Sequence, residues 1–161
     1  MVSALSWGSV GIQGGVSFAN ASTPADMSSA SQTGMLAGVN VNFGLAQLLS
    51  FQPELMFAQR RASLVNAGGL KLTGKYNSIE LPALARVSFG EGIRPYLFAG
   101  PVAILNVSNE YVVEGAGAKE SITFKPRTVD FAADFGVGLE LGAFFTNLRY
   151  SLGLLDYDES H

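Results

Sequence analysis

Along most of this chain, apolar side chains recur on alternate residues with small, polar or charged ones between them. This is the period of two that belongs to β-strands, whose successive side chains point to opposite faces. The clearest stretch is Thr128–Leu155. Val129, Phe131, Ala133, Phe135, Val137, Leu139 and Leu141 share one face there, and Asp130, Ala132, Asp134, Gly136, Gly138 and Glu140 share the other. After a tight turn at Gly142 and Ala143, Leu148, Tyr150, Leu152 and Leu154 continue the apolar side against Asn147, Arg149, Ser151 and Gly153.

The same alternation predicts the earlier strands. Val10, Ile12, Val16 and Phe18 oppose Gly11, Gln13, Gly15 and Ser17; Met35, Ala37, Val39, Val41 and Phe43 oppose Gly38, Asn40 and Asn42. In Leu49–Arg61 the apolar set is Leu49, Phe51, Leu55 and Phe57, and Pro53 falls among them, where its missing N–H removes one ladder bond. Lys75–Phe89 sets Asn77, Ile79, Leu81, Ala83, Ala85, Val87 and Phe89 against Ser78, Glu80, Pro82, Arg86 and Ser88. Ile93–Val113 is a long strand with less distinct faces, and Ser121–Leu141 returns with an interruption at Pro126. Polar stretches at Ala19–Thr33, Leu64–Gly74 and Glu114–Glu120 read as loops, and Gly44–Leu48, Gly90–Gly92 and Gly142 as tight turns. The count is seven strands.

An alternating sheet can also be soluble, provided a second layer covers its apolar face. Composition decides against that here. The chain is 48% hydrophobic, only 14% charged, and has a positive mean hydropathy of +0.27, where about a quarter charged is usual. No segment reads as a covering helix. In water the uncovered face would be an apolar belt far beyond what a monomer exposes, whereas lipid requires such a belt, and a closed barrel is how a sheet satisfies its backbone there. The expected fold is therefore all-β: one domain spanning residues 1–161, a small up-and-down antiparallel transmembrane β-barrel of about eight strands with a lumen filled by side chains. Elaborate loops at one end and trimmed turns at the other fit that reading.

Charge and motif content narrow the chemistry. A net charge of −3 gives no footprint for nucleic acid, and the absence of Cys removes disulfides and thiolate sites. No apolar run approaches the roughly 18 residues of a spanning helix. The start MVSALSW lacks the features of a secretion signal, so an exported protein would have lost its leader ahead of Met1. The inward set carries both signs, with Glu54, Glu80, Asp134 and Glu140 beside Arg60, Arg86, Arg94 and Arg149. These eight are expected to form a lumen charge network, a commoner use of interior carboxylates than an acid–base pair for hydrolysis. His161 is the sole imidazole, which leaves no material for a Ser/His/Asp triad or a His metal site. GAGAK at 115–119 lacks the ending of a phosphate loop and reads as a hairpin tip. Asp156, Asp158 and Glu159 read as a solvated loop end rather than a Ca²⁺ site, and Trp7, Tyr76, Tyr111 and Tyr157 as aromatics near strand ends, where a girdle would sit. No catalytic, cofactor or metal site is expected.

The runs GIQGGVSF, LSFQPELMFAQR, YNSIELPALARVSF, IRPYLFAGPVAIL, DFGVGLELG and LRYSLGL, in that order, resemble the PorT-like group of outer membrane beta-barrel domains common in Bacteroidetes; QPEL, IELP and AGP are the more specific pieces. The resemblance covers most of the seven strands. It implies an integral outer-membrane barrel of about eight strands without known catalysis for most members, one member type serving the type 9 secretion pathway. It also implies one more strand, ending in an aromatic residue, beyond LLDYDESH. Since bacterial single-chain barrels have even strand numbers, either that strand is trimmed away, the favoured reading, or Ser121–Lys125 is a separate strand broken off at Pro126. The expected function is a non-enzymatic structural or accessory role in the bacterial outer membrane. Its partners would be outer-membrane lipid and other envelope proteins, met through the loops Ala19–Thr33 and Glu114–Glu120. The alternatives are a soluble lipocalin-like barrel holding an apolar ligand, and a narrow pore.

Overall fold

In the computed structural model, residues 8–21, 30–65, 71–115, 117–124 and 129–154 are described; Trp7, Tyr157, the acids Asp156, Asp158 and Glu159, and His161 fall outside them. The alternating segments become eight strands: β1 Ser9–Ala21, β2 Ala30–Gly44, β3 Leu49–Val65, β4 Lys71–Ser88, β5 Ile93–Gly115, β6 Ala118–Phe124, β7 Val129–Leu141 and β8 Phe144–Gly153. All pair antiparallel with their neighbours in a single sheet.

The eighth strand is the irregular one. β5 is 23 residues long; its upper part, Asn109–Gly115, pairs with β6 and its lower part, Ile93–Leu105, with β7. β6 and β7 are thus two pieces of one lane, separated by the segment that contains Pro126, a residue unable to donate to a ladder. The separate-strand alternative therefore raises the number of strands to eight without adding a lane. Seven lanes alternating in direction leave β1 and β8 running the same way, and no pairing joins them among the described residues. The sheet is a curled half-barrel, and antiparallel closure takes one further lane running opposite to both.

The tight turns lie where expected, with Gly90, Gly92 and Gly142 at φ of 83°, 80° and 61°, a region only glycine enters freely. The described ends of the expected loops are strand. β1 and β2 extend to Ala21 and from Ala30, β3 and β4 to Val65 and from Lys71, and β5 and β6 turn through Gly117 at φ 84°. Pro53 behaves as expected: the β2–β3 register has no pairs at Gln52 and Pro53.

The two faces are unambiguous. Phe131, Phe135 and Leu139 are 49%, 43% and 42% exposed, while Glu54, Arg86 and Asp134 are 4%, 6% and 2% exposed. A soluble, lipocalin-like barrel requires the reverse, and that alternative is set aside. The interior is built from Met56, Ala58, Leu84, Tyr96, Phe98 and Val102 around the charges. The apolar outward stretch that runs along β4 from Ile79 and ends at Phe89, just past the strand, has the length a tilted strand needs to cross a bilayer, about 9–11 residues.

Above that stretch the polarity inverts. On β4 the outward positions become Asn77, Lys75, Thr73 and Lys71, while Tyr76 and Leu72 face in. β5 makes the same change through a bulge, because Ser78 pairs with Asn106 but Asn77 pairs with Ser108. Val107 is the extra residue, which moves Glu110 and Glu114 to the outside and Tyr111 and Val113 to the inside. Tyr76 and Tyr111 meet edge to face at 5.9 Å and 88°. Rather than standing in an outward girdle at strand ends, this pair lines the inner wall within the strands. Burial first, then its contact with Tyr111, pushes the Tyr76 hydroxyl up to about 12, so it stays neutral at physiological pH.

Candidate functional site

The eight charged residues singled out by the alternation all face the lumen, and the fold pairs each one. Arg149, halfway along β8, grips Glu54 of β3 in a forked pair, Nη1 to Oε2 at 2.8 Å and Nη2 to Oε1 at 3.1 Å. The same Nη1 stands 3.3 Å from Oδ2 of Asp134 on β7, whose other oxygen accepts from Ser151 Oγ at 2.5 Å. Arg86 of β4 pairs with Glu140 of β7, and Arg94 of β5 stands 3.5 Å from the other Glu140 oxygen. Higher up, Arg60 of β3 pairs with Glu80 of β4 at 2.5 Å and donates to Ser78 Oγ at 3.3 Å.

Gln52 joins the groups into one chain. Its Oε1 accepts from Arg86 at 3.1 Å and from Asn42 at 3.2 Å, and its Nε2 donates to Glu54 at 2.7 Å. Arg94, Glu140, Arg86, Gln52, Glu54, Arg149 and Asp134 thus run continuously from the tight-turn end to mid-height. In these pairs four guanidiniums face four carboxylates, while a fifth inward carboxylate, Asp130, accepts from Asn106 Nδ2 at 2.7 Å. Such partnering is what burial of charge demands, because an unpartnered ion in a poorly hydrated interior costs several kcal/mol.

Two residues that alternation alone left indistinct complete the site. Tyr96 and Phe98 lie opposite Gly138 and Gly136 across the β5–β7 ladder. A Cβ on Gly138 would stand 2.2 Å from Tyr96 Cζ, and one on Gly136 2.6 Å from Phe98 Cζ, so the rings occupy the space the glycines leave. The rings also carry guanidiniums, Arg86 Cζ 3.7 Å from the Tyr96 centroid and Arg149 Cζ 5.2 Å from that of Phe98. The sequence signal was present in the paired glycines of GVG on the inward side, but it becomes readable only with the register. Gln52, Ser88 and Ser151 orient the ions in the same way and are indistinguishable by composition from other polar residues.

The lumen is filled at mid-height but not at the tight-turn end. A cavity of about 600 Å³ opens there, lined among others by Asn40, Asn42, Gln52, Arg94 and Glu140. The Asn40 side-chain nitrogen is buried without a partner among the described residues. The mid-height part of the arrangement is suited to bracing strands rather than to moving protons, since both Glu54 oxygens are occupied by donors.

A sheet that is apolar outside over one bilayer thickness, ion-paired inside, and curled around its own charges is the wall of a transmembrane β-barrel. The chain belongs to the outer membrane protein beta-barrel domain family, whose model matches residues 8–159. It is therefore an integral outer-membrane barrel protein at the level the family defines. No curated protein matches the chain, and no solved structure does.

Proposed function

We propose that this barrel is a non-enzymatic structural or accessory component of the bacterial envelope, acting through its long hairpins or as a subunit of a larger assembly. The observation that carries the reading is the occupancy of the lumen carboxylates. Glu54 has both oxygens on the Arg149 guanidinium and one also on Gln52, and its side chain is 0% exposed. An acid or base needs an oxygen within reach of its substrate. The contacting surface is the upper part of β3–β6, which rises beyond the apolar belt as paired strand rather than as loose loop. Rigid, solvent-facing strand is a suitable platform for a partner protein of the envelope.

Envelopes extracted in mild detergent and resolved on a native gel test this reading. A species larger than the lone barrel, lost when the β5–β6 hairpin is shortened to its lipid-level residues, is the expected result. A lone barrel that hydrolyses lipid or peptide, with turnover abolished by Glu54→Gln, would overturn it. A second reading, a narrow pore, draws on the cavity at the tight-turn end. Against it stands the mid-lumen layer of Met56, Leu84, Phe98 and the Arg149 cluster, and planar-bilayer recordings free of channel events would dispose of it.

A further inference from the structure

The inverted rim carries basic side chains that strand pairing compensates only in part. Arg61 on β3 and Lys75 on β4 are directly opposite in the register and on the outward face. Like charges directly opposite across an antiparallel pair repel and destabilise the sheet. Glu110 lies on the far side of Lys75 in the next ladder, yet neither Arg61 nor Lys75 takes part in an ion pair among the described residues. In its other ladder Arg61 has Thr33 opposite it and not an acid, so strand pairing brings Arg61 no counter-charge.

Height identifies what can supply it. On the same two strands the last lipid-facing side chains are Phe57 and Ile79, themselves register partners. The next outward row is neutral and polar, with Gln59 donating to Asn77 at 3.2 Å and Asn77 to Ser108 at 3.0 Å. Arg61 and Lys75 form the row above that. Four residues of a strand tilted by about 40° rise roughly 10 Å, which reaches the top of the headgroup layer, and long basic side chains bend back towards it along the sheet. Lys71, exposed two rows higher on β4, adds a third outward cation, with Glu114 opposite it in the next ladder.

We propose that Arg61 and Lys75 together bind the headgroup phosphate of an anionic lipid in the leaflet on the long-hairpin side. The phosphate sits between the two cations, relieves their repulsion and fixes the depth of the barrel in the bilayer. The proposal rests on the outward face meeting lipid, and goes beyond it in naming the lipid chemistry and the residues.

Nanodiscs of phosphatidylcholine and phosphatidylglycerol in a 4:1 ratio, with retained lipids counted by native mass spectrometry, provide the test. The wild-type protein should retain phosphatidylglycerol above its mole fraction, on the order of five-fold for each basic side chain near the surface, and the enrichment should fall with added salt. The R61Q/K75Q double variant should insert equally well and retain the two lipids in proportion to supply. Proportional retention by wild-type protein, or undiminished enrichment in the double variant, would overturn the proposal while leaving the membrane reading intact. Failure of wild-type protein to enter the bilayer would overturn both.

Discussion

Arg149 on β8 and Glu54 on β3 are 95 residues apart in sequence and meet across the lumen through two charge-assisted hydrogen bonds. No backbone pairing joins their strands, so this contact holds the curl of the sheet directly. The first prediction follows from its burial. Glu54→Ala should lower unfolding stability in micelles by about 3–5 kcal/mol, because Arg149 would remain in a closed space with only Asp134 for charge. Glu80→Ala should cost less, since the Arg60 side chain is 30% exposed and can turn to water. Equal losses in denaturant titrations would mean that burial does not set the cost.

Gly138→Ala should destabilise the barrel by about 1–3 kcal/mol, the usual range for overpacking. The new methyl would meet both the Tyr96 ring and the Thr146 carbonyl oxygen, the latter at 2.7 Å. Pairing it with Tyr96→Leu should recover only part of the loss, because the backbone contact remains and Arg86 loses its ring. Full recovery in thermal melts would show that the ring alone defines the fit.

Depth can be read on one strand. Ala85→Arg, on the lipid face near the middle of the apolar stretch of β4, should cost about 2–4 kcal/mol, whereas Thr73→Arg above the belt should cost about 0–1 kcal/mol. Refolding yields into vesicles measure both. Similar penalties at the two sites would contradict the placement of the bilayer edge between Ile79 and Asn77.

The bulge makes an unusual prediction about deletions. Removing Val107 brings Ser108 next to Asn106 and leaves every pair and every face of β5 as it is, so the protein should still fold and insert. Removing Ala103, four residues earlier, turns one side of the strand inside out and should abolish folding. Heat-modified gel mobility distinguishes folded from unfolded barrels for both variants.

The alternation of apolar and small or charged residues was enough to place Val129–Leu141, Phe144–Gly153 and the lower parts of β1–β5, to choose their lipid-facing sides, and to name the eight ion-paired lumen residues. These features are local: with a period of two, knowing one inward residue fixes the rest of its strand. The rims of β3–β6 were not legible, because above the bilayer both faces change composition and Lys71–Gly74 or Glu114–Glu120 look like loop when their partners are unknown. Partnership is what tertiary structure alone decided. It settled which carboxylate each guanidinium meets, why Gly136 and Gly138 face Phe98 and Tyr96, and that Val107 reverses the faces of β5. It also set Arg61 against Lys75. Each depends on register between strands distant in sequence, and register is fixed by the sheet as a whole.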